Sequence, residues 1–392
     1  MDEPITVLTA TCYCKHCTLS FTIPSSSLPL PTHFCHCVIC RHTHGILATI
    51  HTPVPTPEIG NWDGLKGYES SSRVRRWFCR TCGAHMVDSC LEAGTGEESR
   101  TWCVATALVD RVGEDEEQEW PWKFWGHIFV RGTRDGGLAG LVGRVGGRRM
   151  RVFGEREDGE EMIMGNLEIG EEEGAEGGNK AELGKEKEGD RLKLQCHCGG
   201  ITLLIRRPGE GAFATFPPSS IPKDTRKWPA FHDFCTESRL TSSCAVMSWM
   251  TVEKSHISVL SLDPDGGARE EPYRTVFGTA TLYESRPNVQ RTFCAACGAS
   301  VACEDREESM GLAVGLVRGV VGGTGEEGND VGGKGVREVG VREVGVRVES
   351  WLEWKVGSVD EGEGRRWAGM REGLVEGMER REEREGRGRG KL

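Results

Sequence analysis

A Cys-x-Cys pair and a Cys-x-x-Cys-Gly turn occur together twice in this chain, first as Cys12, Cys14, Cys79 and Cys82, then as Cys196, Cys198, Cys294 and Cys297. Four thiols from two distant turns suit tetrahedral zinc with a closed, all-cysteine shell. In the Cys-x-x-Cys-Gly turn, backbone N–H groups bond the sulfur atoms and glycine tolerates the conformation they require. Each set therefore ties two remote parts of the chain together. By itself the pattern says structural zinc and nothing about activity.

The residues around the cysteines repeat as well. Ile5 to Thr11, alternating and β-branched, leads into Cys12, as Leu192 to Gln195 leads into Cys196. Tyr68-Glu69-Ser70 stands before Cys79 at the interval at which Tyr283-Glu284-Ser285 stands before Cys294, and Val74, Arg76 and Phe78 recur as Val289, Arg291 and Phe293. Cys17 falls where the second copy has an apolar residue and reads as a small buried hydrophobe. We expect two copies of one all-β module, residues 5–150 and 191–357, with short apolar runs separated by Gly, Pro and Ser turns.

The formal charge of −11 belongs to the segment between the copies. Glu155 to Asp190 holds 14 acidic and 4 basic residues, leaving 46 and 45 elsewhere, so neither module carries the basic excess of a nucleic-acid surface. Residues 151–190 read as a disordered acidic linker and 319–345 as a Gly-rich insertion in the second module. In the tail, residues 358–392, Trp367, Met370, Leu374, Val375 and Met378 fall at helical spacing. They predict an amphipathic helix packed on the second module, with partner binding as the alternative. The start lacks a secretory signal and no run of some eighteen apolar residues occurs, so we expect a soluble, cytoplasmic or nuclear protein without membrane contact. In that reducing setting the 17 cysteines serve as metal ligands rather than disulfides.

A third constellation, Cys35-His36-Cys37-Val38-Ile39-Cys40, offers three thiols within six residues. Either it keeps a coordination position for substrate or a distant Cys or His completes it. Aligning Arg41 with Arg239 sets Asp233, Cys235 and Ser238 opposite Cys35, Cys37 and Cys40, so only one thiol survives in the second copy. A fold that dispenses with the set once does not need it, and a separate role in the first module is favoured. Three thiolates make zinc too electron-rich to acidify water well but soft enough to welcome a thiol substrate, which it would deprotonate. Serine is a weak ligand, so we expect three zinc ions per chain. His36 lies between two ligands and can hardly reach the same metal. His33, His42 and His44 read as solvated loop residues, or as donors behind the ligands. Cys90, Cys103, Cys244 and Cys303 have no partner at ligand spacing and read as buried packing residues.

The order Cys-x-Cys, Cys-His-Cys-x-x-Cys, Cys-x-x-Cys-Gly resembles the family that includes glutathione-dependent formaldehyde-activating enzyme and centromere protein V. The likeness extends to His127-Ile128-Phe129-Val130 and Asp135-Gly136-Gly137-Leu138, which resemble its closing segment. It implies β-tent domains, a structural four-cysteine zinc, and a second zinc on Cys35, Cys37 and Cys40, where glutathione and formaldehyde combine. The reverse reaction breaks a carbon–sulfur bond, hence a lyase acting on small-molecule thiol and aldehyde. Two departures stand out: Lys15 replaces the family's glycine, present in the second copy as Gly199, a change expected to strain that turn, and the second copy lacks the full three-cysteine loop. The competing reading is a non-catalytic tandem zinc module that binds a protein partner, by analogy with the chromatin association of centromere protein V.

Overall fold

The computed structural model describes residues 3–91, 100–109, 121–162, 190–262, 268–322, 341–356 and 367–389. They are mostly β, with three α-helices: α1 (Val38–His44), α2 (Thr236–Ser242) and α3 (Ala368–Arg389). Side-chain alternation explains the strands. In Ile5–Thr11, Leu8 and Ala10 are buried while Ile5 and Val7 face outward, and the partner strand Thr18–Pro24 turns Leu19, Phe21 and Ile23 inward.

The two halves share an order of strands. In the N-terminal half an antiparallel sheet runs Leu65–Ser71, Val74–Cys79, His85–Leu91, Arg100–Ala105, His51–Val54. In the C-terminal half it runs Ala280–Arg286, Val289–Cys294, Ser300–Glu304, Ser309–Ala313, Met247–Glu253. Each half also pairs the strand that enters its short helix with a strand from far along the chain, both in parallel: Leu30–Cys35 with Trp122–Ile128, and Trp228–Asp233 with Leu352–Val356.

The halves are not separate beads, since one hydrophobic cluster runs through both. Their contact is reciprocal. A Cβ on Gly83 would meet Phe293 at 2.6 Å, and one on Gly298 would meet Phe78 at 2.7 Å, so only glycine fits either turn. Helix α1 rests on the 3-10 turn Val314–Leu316, and α2 rests on the 3-10 turn Thr106–Leu108. Hydrogen bonds cross the seam from His197 N to His42 O (3.0 Å), from Lys66 Nζ to Ala295 O (2.6 Å) and from Tyr13 Oη to Ser285 O (3.1 Å).

Three sequence expectations need correction here. Residues 151–162 are not linker: Arg151–Val152 pairs with Trp122–Ile128, Phe153 bridges Glu161, and Met162 packs on Val130, Ala139 and Val152. The rest of the expected linker, residues 163–189, lies outside the described residues. The Gly-rich stretch is in sheet near both its ends, with Val317–Val321 paired to Val341–Arg342, and Val317, Val320 and Val321 are buried; residues 323–340 lie outside the description.

Helix α3 sets its apolar face chiefly on the N-terminal half and reaches the second module, where it was expected, at Arg381, which pairs with Glu349. Trp367 meets Phe124 edge-on at 6.3 Å, and Trp367, Met370, Leu374 and Met378 are buried, with Val375 half-buried. Gly373 and Gly377 lie so close to the Arg144 and Leu141 carbonyl oxygens that a Cβ at either position would clash with backbone. The amphipathic stripe was legible; its seat was set by these glycines. Among the described residues no helix is long and apolar enough to cross a membrane.

Candidate metal centre

Both four-cysteine sets assemble. Sulfur separations are 3.5 Å for Cys12–Cys14, 3.6 Å for Cys14–Cys79, and 3.5 Å for both Cys196–Cys198 and Cys198–Cys294. Zinc–sulfur bonds of about 2.3 Å in a tetrahedron set sulfurs roughly 3.8 Å apart, so the donors fit that metal in number, softness and spacing. The first turn bears the strain its sequence implied: Lys15 takes φ +62°, where Gly199 takes +77° at no steric cost. Cys17 is buried outside the set, and its backbone N–H donates to Cys12 Sγ at 3.3 Å.

Cys35, Cys37 and Cys40 form the third group, their sulfurs all within 4.8 Å of one another. Cys35 ends a strand, Cys37 caps α1 by accepting the Cys40 N–H at 3.4 Å, and Cys40 sits in the first turn. Cys40 is buried while Cys35 and Cys37 are half-buried, which leaves one side of the group open to an incoming ligand. Among the described residues no fourth His, Cys, Asp or Glu joins it. Hydrogen bonds from Cys35 and Cys37, and then the Arg76 charge, pull the Cys40 thiol well below its ordinary pKa against the opposing effect of burial.

Arg76 ties this group to a buried polar network. Its Nη2 donates to Cys40 Sγ at 3.3 Å and its Nη1 to Asp88 Oδ2 at 2.5 Å, while Nε holds Ser70 Oγ at 3.0 Å. Asp88 also accepts from His51 Nδ1 at 2.8 Å. Burial would raise the Asp88 carboxyl, but Arg76 and His51 hold it below its ordinary value, as a carboxylate. His44 stacks on His85 with ring centres 3.9 Å apart and meets His51 edge-on at 5.0 Å.

The histidines near the loop are therefore not solvated. His42 and His44 are buried in α1, with His42 Nε2 donating to Val317 O at 3.3 Å, and burial holds His42 down to about 2 and His33 to about 4. His36, as expected, turns away from the metal group: it is fully buried, 3.0 Å from His127 Nδ1, and His127 Nε2 donates to Val142 O at 2.9 Å. Of the remaining cysteines, Cys244 is buried and its Sγ donates to Ala48 O at 3.3 Å, while Cys90, Cys103 and Cys303 are half-buried; among the described residues none of the four joins a group able to hold a metal.

The counterpart site in the C-terminal half has the same backbone and different chemistry. Cys235 caps α2 by accepting the Ser238 N–H at 3.3 Å, as Cys37 caps α1. Arg291 occupies the place of Arg76, and its Nη2 donates to Ser238 Oγ at 3.2 Å where Arg76 reaches a sulfur. Its counter-ion is Glu237, 3.0 Å from Nε, at the position of Ile39. Asp233 Oδ1 is taken up by the Cys235 N–H at 2.8 Å. Of Asp233, Cys235 and Ser238 only the first two carry donors common in metal sites.

Sequence spacing exposed the eleven cysteines of the three groups but not Arg76, Asp88 or His51. Arg76 was visible only as a repeated residue. Asp88 and His51 become neighbours through sheet register, with Arg76 opposite Asp88 on adjacent strands.

Residues 7–131 match the family model described as glutathione-dependent formaldehyde-activating enzyme. The matched span contains all seven cysteines of the first four-cysteine set and the three-cysteine group, together with Arg76, Asp88 and His51. The match stops short of the C-terminal half. No curated protein matches the chain.

Proposed function

We propose that the N-terminal half joins a thiol such as glutathione to an aldehyde such as formaldehyde, and cleaves the product in reverse as a carbon–sulfur lyase. The observation that carries this reading is the open three-thiol group Cys35, Cys37 and Cys40, within the span that matches the formaldehyde-activating family. Both halves then adopt the family's β-tent, and each chain takes three zinc ions: two in four-cysteine sites and one on the open group.

Cys35, Cys37 and Cys40 would hold the reactive zinc, which when bound lowers the pKa of an added thiol and polarises a carbonyl. The chain's own residues shape the rest. Arg76 draws charge from the Cys40 sulfur through its N–H, as groups behind a ligand commonly do. Half-burial of Cys35 and Cys37 admits substrate from one side, while α1, pinned to the C-terminal half through His42, fixes the position of Cys37 and Cys40.

Cobalt substitution of the full-length chain tests this directly. Glutathione should shift the absorption of the substituted protein, and the shift should vanish in Cys37→Ser, with S-(hydroxymethyl)glutathione formed above the spontaneous rate only by the unaltered zinc protein. A cobalt spectrum indifferent to glutathione would sink the proposal.

A further inference from the structure

The two halves differ at more than their thiols. With Cys35 and Cys40 replaced by Asp233 and Ser238, the positions of His44, His51, His85 and Asp88 are also changed, to Ser242, Trp249, Ser300 and Cys303. The strand registers fix these equivalences: His51 pairs with Ala105 as Trp249 pairs with Ala313, and Arg76 with Asp88 as Arg291 with Cys303. The arginine itself is kept. In its second setting Arg291 lies over the Trp249 ring at 5.9 Å and needs no carboxylate at the position of Asp88. A group required only to hold the fold would have had the same reason to persist in both halves, so this one goes with the three thiols.

The geometry of the retained set is that of a base with an orienting carboxylate. His51 Nδ1 donates to Asp88 Oδ2, which fixes the tautomer and leaves Nε2 as the basic nitrogen. That nitrogen is buried and has no partner within the protein. Around the pair stand Arg76, His85 and Cys90 from the sheet, His44 from α1 and His33. Burial keeps His33, His44 and His85 neutral near pH 7, which leaves Arg76 as the fixed cation and Asp88 as the carboxylate at His51.

Resting on the thiol–aldehyde reading, we propose that His51, oriented by Asp88, is the proton carrier of the three-cysteine site. As the thiol binds, its S–H proton moves to His51 Nε2. The thiolate sulfur then forms a bond to the carbonyl carbon, and the π pair moves to oxygen. His51 returns the proton to that oxygen, giving the hydroxymethyl thioether; thiol plus aldehyde equals product, with no proton or electron left over. The reverse reaction uses the same nitrogen as base. Asp88 is a positioning residue, which acts through His51 and, by way of Arg76, on Cys40.

The test uses the full-length, zinc-loaded chain and His51→Gln, which keeps a donor for Asp88 but has no basic nitrogen. His51→Asn takes its place should the first variant fail to retain zinc and melt cooperatively. Calorimetry of glutathione binding in two buffers of different ionisation enthalpy counts the protons released. The variant should release up to one more than the parent, because the thiol proton has no acceptor inside the site. With glutathione and formaldehyde, kcat should fall about 10²-fold while KM for glutathione holds, and added imidazole should restore part of the rate. Equal proton release by both proteins overturns the proposal whatever the turnover, and so does undiminished kcat in the variant. A parent protein that does not accelerate the reaction at all overturns the thiol–aldehyde reading and the carrier with it.

Discussion

Arg76 and Arg291 perform one task in two settings. Each crosses from the same strand position to the first turn of a short helix and bonds the side chain at its third residue, a sulfur in Cys40 and a hydroxyl in Ser238. In the N-terminal half the charge is balanced from the sheet by Asp88; in the C-terminal half it is balanced from the helix by Glu237, with Arg286 on the other carboxylate oxygen at 2.9 Å. Moving the counter-ion from sheet to helix places an acid, already paired with two arginines, two residues from Cys235. The backbone survives the exchange because the helix needs only a cap, and one cysteine supplies it in both halves.

The largest effect expected from breaking this comparison lies in the closed sites. Cys79→Ser removes a ligand that joins distant turns, and zinc at such sites contributes on the order of 10 kcal/mol, more than the margin of most domains. Because the halves share a core, both should unfold together in circular dichroism. Cys37→Ser should instead melt within about 4 °C of the parent, having freed only a local loop. A Cys37→Ser chain that melted like Cys79→Ser would make the open group part of the scaffold and remove the main support for its chemistry.

Removing the arginines should separate the halves next. Arg76→Ala leaves Asp88, 7% exposed, without its cation and should cost about 3–5 kcal/mol. Arg291→Ala leaves Glu237 with Arg286 in place, and should cost about 1–2 kcal/mol. Urea unfolding of the two variants gives both numbers; equal costs would mean that Asp88 finds another partner.

Acid should act more gently, and His85 reports it. Burial holds its pKa down to about 3, so below the ordinary histidine pKa of about 6.5 the unfolded chain binds a proton that the folded chain refuses. Stability is thereby lost as pH falls from about 6.5 toward 3. Replacing His85 by serine, the residue at the matching position 300, should cancel about 2 kcal/mol of the loss between pH 6.5 and 5, read from urea midpoints at the two pH values. An unchanged pH dependence would show that His85 is already charged in the fold.

The cysteine groups were legible because metal ligands come in short local spacings that survive in the bare sequence. The mostly β character was legible from alternation in runs such as Ile5 to Thr11, and the strain at Lys15 from its comparison with Gly199. The Asp88–His51 pair was not, since its members stand 37 residues apart and meet only through sheet register. The buried histidines of α1 were misread because a polar residue in a short loop looks solvated until a second half of the chain covers it. For α3, periodicity shows that one face is buried and says nothing of the surface that covers it.

The smallest effect should come from the acidic segment. Its composition cannot bury enough apolar surface to offset the entropy of ordering it, so removal of residues 168–185 should leave the melting midpoint and its cooperativity unchanged. A split transition in calorimetry would show that the segment helps to join the halves.

The seat of α3 has a consequence for how the protein is made. Leu141 and Phe124 emerge from the ribosome more than two hundred residues before Met378 and Trp367, which cover them. Throughout that interval the nascent N-terminal half presents a bare apolar trough, shaped for a helix that does not yet exist. Its completion awaits α3, so a message truncated before codon 367 yields a polypeptide with both cysteine groups of the first half and a permanent sticky face. Such fragments should be clients of chaperones and proteases, while a chain that carries α3, folded back upon the N-terminal half, escapes them.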